Sequence, residues 1–510
     1  MTRMRWSVLW LVLLSSVAAV PAAAPLSADE YYYAMEINGT LCGYVKFTTA
    51  PLVQDGRTLI LLEHAILMQV RALGKEVESR LKLTYHLDPE TNAFRYHDST
   101  NEQGGQRMFA KMRIDGGRAY ISGTGMDKEE AVDLPPDVVL ENTLFYPHLV
   151  ADFAERKRDS QSYKIFNGRD GKVQDVVYTK AGTETVRRAE RDFETIILDC
   201  LNRSNGLKVR LWLDPATGIA VQTQMPGRMT YLADASVVQA IQTANLDPTL
   251  AVKANKTIPN PNDISYMKVR AVIDPTGLWV APESLNVPGQ RFAGTVKDNH
   301  IEGEFEIEHR RYDGSKAPPF PPDFSRDPAL KEFLDPSDFI QSGDPVLVEK
   351  AREITKGSKD SWEAARRAAQ WVADNIKGAI PGGGTAKGVY ETRSGECGGY
   401  GFLTAAFCRA VGIPARVVWG CLYATSGGGV FGQHGWNEIY MGEAGWIPVD
   451  TTRREFDSVD SGHIRIGVHQ STATALNARK IEILDYKIDF SSPGRRARAG
   501  SPILKSGDNI

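Results

Sequence analysis

The sequence predicts an α+β chain: a long β-rich antiparallel N-terminal region, then a smaller unit whose helices precede its antiparallel strands. Two patterns point there. From Tyr31 to about Arg311, apolar and non-apolar residues alternate with period two, as in Leu207-Lys208-Val209-Arg210-Leu211-Trp212-Leu213, and turn dipeptides interrupt the alternation. Beyond Ala317-Pro318-Pro319-Phe320-Pro321-Pro322 the apolar spacing becomes helical.

In the first region, Asn38-Gly39, Asp115-Gly116 and three Asp-Pro pairs (Asp88-Pro89, Asp214-Pro215, Asp274-Pro275) read as hairpin loops. Proline pre-sets φ for the second turn position and the aspartate side chain caps the turn. Short helices are expected near 142–157 and 235–243. The proline block can continue neither a ladder nor a helix, so it reads as a stiff extended connector. After it, Asp344-Pro345 should open a helix, proline costing nothing at the first helical position. A second helix is expected over 361–377, with Trp362, Ala365, Ala369, Val372 and Ile376 on one face. Gly382-Gly383-Gly384 makes a loop. A third helix should begin near Cys397 and stop around Gly412 and Pro414. Strands follow at 415–423, 434–440 and 446–451. The chain thus divides into a leader at 1–24, a β-rich domain at 25–250, a β-element with the connector at 251–322, a C-terminal domain at 323–490 and a tail at 491–510.

With 510 residues, 42% hydrophobic and 24% charged, the composition is that of an ordinary folded chain of roughly two to four domains. A formal net charge of −3 lacks the basic face that nucleic-acid binding requires. Arg3 and Arg5 precede an apolar run from Trp6 to Leu14, and Val20-Pro21-Ala22-Ala23-Ala24 supplies small residues. That order is the order of a secretory signal, and the run is too short to span a bilayer. The expectation is a protein exported to the periplasm or outside the cell, without stable membrane insertion once the leader is removed. Five cysteines, Cys42, Cys200, Cys397, Cys408 and Cys421, leave at least one thiol unpaired; a bridge between Cys42 and Cys200 stays open.

The chemistry concentrates after the connector. Cys397 lies among Gly395, Gly398 and Gly399 at a helix start, where a substrate can approach the backbone and the helix N-terminus favours a thiolate. Glu396 opposes this unless its carboxylate turns to solvent. His434 opens a predicted strand, with Trp436 on the same face to shield the imidazole. Asp450 ends the next strand, where it can accept the imidazole N–H and set its tautomer. Taken singly, each has a plain structural alternative: a buried thiol, a hydrogen-bonded histidine, a turn cap with Thr451 and Thr452. His463 and His469 read as structural, since their spacing is no metal signature.

Four separated blocks occur in order: Gly395-Glu396-Cys397; Cys408-Arg409-Ala410-Val411-Gly412-Ile413-Pro414-Ala415-Arg416-Val417; His434-Gly435-Trp436; and Gly445-Trp446-Ile447-Pro448-Val449-Asp450-Thr451-Thr452. Together they resemble the transglutaminase-like superfamily, most closely its exported bacterial members, over roughly 323–490. The resemblance implies a papain-like fold with Cys397 as nucleophile, His434 as general base and acid, and Asp450 as orienting acid. Gly398 departs from the animal enzymes, which carry tryptophan there. No acidic loop has calcium-ligand spacing, so neither a metal nor a cofactor is expected. The implied chemistry is an acyl-thioester formed from an amide bond of a peptide or protein substrate. Water, the default in a dilute setting, would make the protein an amidase or peptidase, and an amine would make it an acyltransferase. The reading from another class is a non-catalytic binding or scaffolding protein that retains the fold.

Overall fold

The computed structural model describes residues 29–489 apart from 73–74, 104–105, 125–127, 167–170, 226, 247–250, 380–383 and 469–475. The expected leader, Gly382, Gly383, His469 and the tail lie outside the described residues.

The N-terminal region is a sixteen-stranded sheet running from Glu30 to Asn245. Its pairs are antiparallel except Val138–Leu140 with Ser160–Phe166 and Ala244–Asn245 with Arg57–Ala72. Asn38 and Gly39 both take positive φ between Glu30–Ile37 and Thr40–Gln54, as a two-residue hairpin requires. Asp88 and Asp214 close their turns with the side chain, Oδ1 of each accepting a backbone N–H from Glu90 and Ala216 respectively. Asp274-Pro275 behaves differently. The strand before it, Ile264–Ile273, pairs with His300–Glu308 and Ala478–Ile488, so this turn opens a long connection and not a hairpin. Period two locates strands; it does not give their order. The short helical segments are Pro147–Leu149, continued by the π-helical Val150–Glu155, and Val237–Ala240.

The C-terminal unit is α+β. Helix Pro345–Thr355 is capped by Asp344, whose carboxylate accepts from the Val346 and Leu347 N–H groups, and Ser361–Asn375 by Asp360. The expected face of that second helix, Trp362, Ala365, Ala369, Val372 and Ile376, is buried throughout. A helix not anticipated from sequence, Ala386–Thr392, precedes Cys397–Ala410. These helices pack beside a sheet ordered Val430–Tyr440, Ala415–Ala424, His463–Val468, with Trp446–Val449 on the outer edge of the first.

A second, four-stranded sheet joins Gln290–Lys297, His300–Glu308, Ile264–Ile273 and Ala478–Ile488. One hydrophobic cluster holds both sheets and the helices, extending from Ala254 to Ile483. The segment placed at 251–322 therefore packs on the same core as 323–490. The proline block is bound to the helical unit: the Ser361 N–H and hydroxyl donate to the Pro318 and Pro319 carbonyls, and Phe320 packs against the core. All five cysteines are free thiols, and Cys42 and Cys200 pack in separate clusters, so no bridge joins them. Among the described residues no helix is long and apolar enough to cross a membrane.

Candidate active site

Cys397 is the first residue of the Cys397–Ala410 helix, and Glu396 is its cap. The Glu396 carboxylate accepts the Gly398 N–H at 2.7 Å and the Gly399 N–H at 3.2 Å, and the thiol donates to it at 3.3 Å. This reverses the sequence expectation for the thiol. Glu396 does not turn to solvent; it takes the helix N–H groups that were expected to serve the sulfur. Burial and the adjacent carboxylate push the Cys397 thiol well above its ordinary range, while a hydrogen bond from the Gly435 N–H pulls it down. The bond to Glu396 and this upward shift both favour the neutral thiol. A Cβ at Gly398 would lie 2.8 Å from Glu396 Oε1 and 3.2 Å from the Trp419 ring, so a larger side chain there requires both neighbours to shift.

His434 lies mid-strand in Val430–Tyr440, next to the Gly435 whose N–H meets the sulfur. Its Nε2 lies 2.7 Å from Asp450 Oδ2. Trp436 is on the same face, as expected, its ring stacked on the imidazole with centroids 6.1 Å apart and planes 21° from parallel. Asn437 fixes the helix against this strand by donating Nδ2–H to the Gly401 carbonyl at 2.9 Å. The neighbouring strand reaches this position only because residue 420 is glycine: a Cβ there would stand 1.9 Å from the Ile464 carbonyl oxygen and 2.6 Å from the Trp436 ring.

Asp450 follows the strand Trp446–Val449 and is fully buried. Its Oδ1 accepts the Thr452 hydroxyl at 2.5 Å and the Arg453 N–H at 3.1 Å. Its Oδ2 meets two imidazoles, His434 at 2.7 Å and His463 at 3.1 Å. The turn-cap reading and the imidazole-acceptor reading of Asp450 both hold, one on each oxygen. Burial alone would favour the neutral acid, but the two histidines outweigh it and hold the carboxyl well below the usual carboxylate range.

His463, taken from sequence as a structural residue, thus joins the cluster, with Asp460 and Glu455 behind it. The Asp460-x-x-His463 spacing was the only local signal. Two overlapping sets, His434 with Asp450 and His463, and Glu455 with Asp460 and His463, place potential ligand atoms within 4.8 Å of one another. In the first set, each imidazole places a nitrogen within hydrogen-bond distance of the same Asp450 oxygen. Of the other thiols, Cys408 and Cys421 are buried and pushed up to about 12 by burial, as is the half-buried Cys200.

The site is therefore a thiol at a helix start that meets the Gly435 N–H, one residue along the strand from a histidine whose ring bonds a buried aspartate on the neighbouring strand end. Residues 348–451 match the family model of the transglutaminase-like superfamily, and the chain carries a domain of that superfamily. Over 75 residues it is 39% identical to the protein-glutamine gamma-glutamyltransferase of Pseudomonas aeruginosa, which covers 12% of this chain; the chain spans 11% of that relative's length. Among solved structures, a protein described as a cysteine protease from Cytophaga hutchinsonii aligns at 17% identity, with a TM-score of 0.35, over 44% of this chain and 93% of its own. A β-barrel-like protein of unknown function from Brucella abortus aligns at 8% identity and a TM-score of 0.30, over 40% of this chain and 94% of its own. Likenesses this weak carry no argument about fold or function.

Proposed function

We propose that the chain is a cysteine enzyme of papain-like arrangement that forms an acyl-thioester on Cys397 from a carboxamide or peptide bond of a protein substrate. The observation that carries this reading is the His434–Asp450 hydrogen bond at 2.7 Å, beside a helix-terminal thiol that shares the Gly435 N–H. With Nε2 donating to Asp450, the imidazole is in the tautomer whose Nδ1 carries a lone pair. Since the resting thiol is neutral, His434 takes its proton during attack instead of holding a preformed ion pair. The sulfur adds to the carbonyl carbon, and the Cys397 N–H is the candidate donor to the resulting oxyanion. The C–N bond then breaks, His434 returns the proton to the leaving amine, and the thioester is released by water or by an amine. The glutamine-directed activity named for the Pseudomonas relative makes a glutamine side chain the first substrate to try.

Arg3, Arg5 and the apolar run from Trp6 to Leu14 support export before any such reaction. The test incubates the full-length protein with a glutaminyl peptide, with and without a primary amine, and weighs the products. Deamidation alone assigns hydrolysis, amide exchange assigns acyl transfer, and an unchanged peptide library, backbone bonds included, sinks the proposal.

A further inference from the structure

His463 has no part in the steps above, yet it is the most constrained group near them. Its side chain is 1% exposed. Its ring Nδ1 faces the Asp460 carbonyl at 3.0 Å and Asp460 Oδ1 at 3.3 Å, and Nε2 faces Asp450 Oδ2 at 3.1 Å. All three are acceptors. A neutral imidazole has one donor and one acceptor nitrogen, so it would set a lone pair against a carboxylate or carbonyl on one side. Both nitrogens must therefore carry protons. The Trp436 ring packs edge-on at 5.1 Å and closes this pocket. The titratable groups facing the ring are Asp450, Asp460, Glu455 and His434, and Arg453 acts on Asp460. Burial favours the neutral ring, but Asp460, Asp450 and Glu455 outweigh it and raise His463 to about 10.

We propose that His463 is a positioning residue for the Cys397 centre: an imidazolium clamped by Asp460 that donates to the same Asp450 oxygen as His434 does. The inference rests on the roles proposed above for Cys397 and His434. The shared oxygen has a consequence for the base: the second donor fixes the carboxylate's orientation, and with it the plane of the His434 ring.

The test is histidine-ring NMR of the full-length protein labelled with 15N-histidine, comparing wild type with His463→Gln. Glutamine keeps a donor for Asp450 and removes the charge. In the wild type both His463 nitrogens should carry protons at about pH 8, where an unperturbed histidine is neutral. In the variant the proton on His434 Nε2 should exchange with water about tenfold faster, because the carboxylate that holds it has lost its second charged donor. A singly protonated His463 at that pH, or unchanged exchange of that His434 proton in the folded variant, overturns the proposal. Should His463→Gln not fold, Asp460→Asn keeps the ring and loosens its clamp. His463 must then release its second proton at lower pH than in wild type, and an unchanged release is the contrary result. Failure of the catalytic reading is seen elsewhere: alkylation of Cys397 would be indifferent to His434→Ala, whereas the His463 titration does not depend on Cys397.

Discussion

Replacing Asp450 with asparagine removes the one charge on which both histidines converge. The carboxylate is fully buried, and its Oδ2 is the acceptor for His434 at 2.7 Å and His463 at 3.1 Å. A carboxamide cannot accept on that atom from both rings without its own N–H₂ confronting a donor on the other side or losing the Thr452 and Arg453 contacts. The His463 imidazolium then keeps only Asp460 and more distant carboxylates. Removing one partner of a buried ion pair costs about 3–5 kcal/mol. For a unit of this size that is a melting-temperature drop of roughly 6–20 °C. Turnover should fall further than stability does at working temperature, by on the order of 10⁴-fold, as in hydrolase triads whose histidine loses its orienting acid. The assay pairs thermal unfolding by near-UV circular dichroism with amine incorporation or ammonia release on a glutaminyl peptide. A folded variant melting within about 2 °C of wild type and turning over within about tenfold of it would refute the reasoning, because the charge would be neither buried nor engaged as described.

Two other perturbations are expected to act as follows. Glu396→Gln keeps an oxygen to cap the helix but removes the charge beside the sulfur, so iodoacetamide should alkylate Cys397 several-fold to about tenfold faster near neutral pH, read by peptide mapping; an unchanged or slower rate means the carboxylate does not hold the thiol neutral. Stability should vary with pH in a window set by His463, raised in the folded state to about 10. Its contribution is complete below the unfolded value of about 6.5 and is lost as pH rises through the folded value, with a slope approaching 1.4 kcal/mol per pH unit. Asp450 and Asp460, both depressed, add stability above about pH 4 that is lost on acidification. Urea unfolding between about pH 7 and 8.5, before the buried thiols begin to contribute, should therefore show a decline that His463→Gln lacks; parallel curves for the two proteins count against the buried imidazolium.

What the sequence disclosed was largely local. The helix opening at Asp344-Pro345, the helix opening at Cys397 and the strands around His434 and Asp450 all follow from residues within a few positions of one another. The His434–Asp450 bond was foreseeable because Val430–Tyr440 and Trp446–Val449 form a short antiparallel pair. His463 was not foreseeable. It reaches Asp450 because His463–Val468 pairs with the far side of Ala415–Ala424, an order that period-two patterning does not encode. The same holds for Ala478–Ile488, which finds its partner Ile264–Ile273 about two hundred residues earlier. The role of Glu396 stayed open in the sequence for a different reason. Its effect depended on a single side-chain rotamer, and capping the helix outweighed solvation. Competition between a cap and a thiol for the same N–H groups is a tertiary question even when the residues are neighbours.

Whether Cys397 carries an acyl group is tested most directly by intact-protein mass spectrometry. The full-length protein is mixed with a glutaminyl peptide and acid-quenched early in turnover. An adduct equal to the peptide less ammonia is expected, mapped to Cys397, sensitive to hydroxylamine and absent from Cys397→Ala. An adduct mapped to another residue, or one that persists in Cys397→Ala, would contradict it, as would turnover unchanged by that substitution.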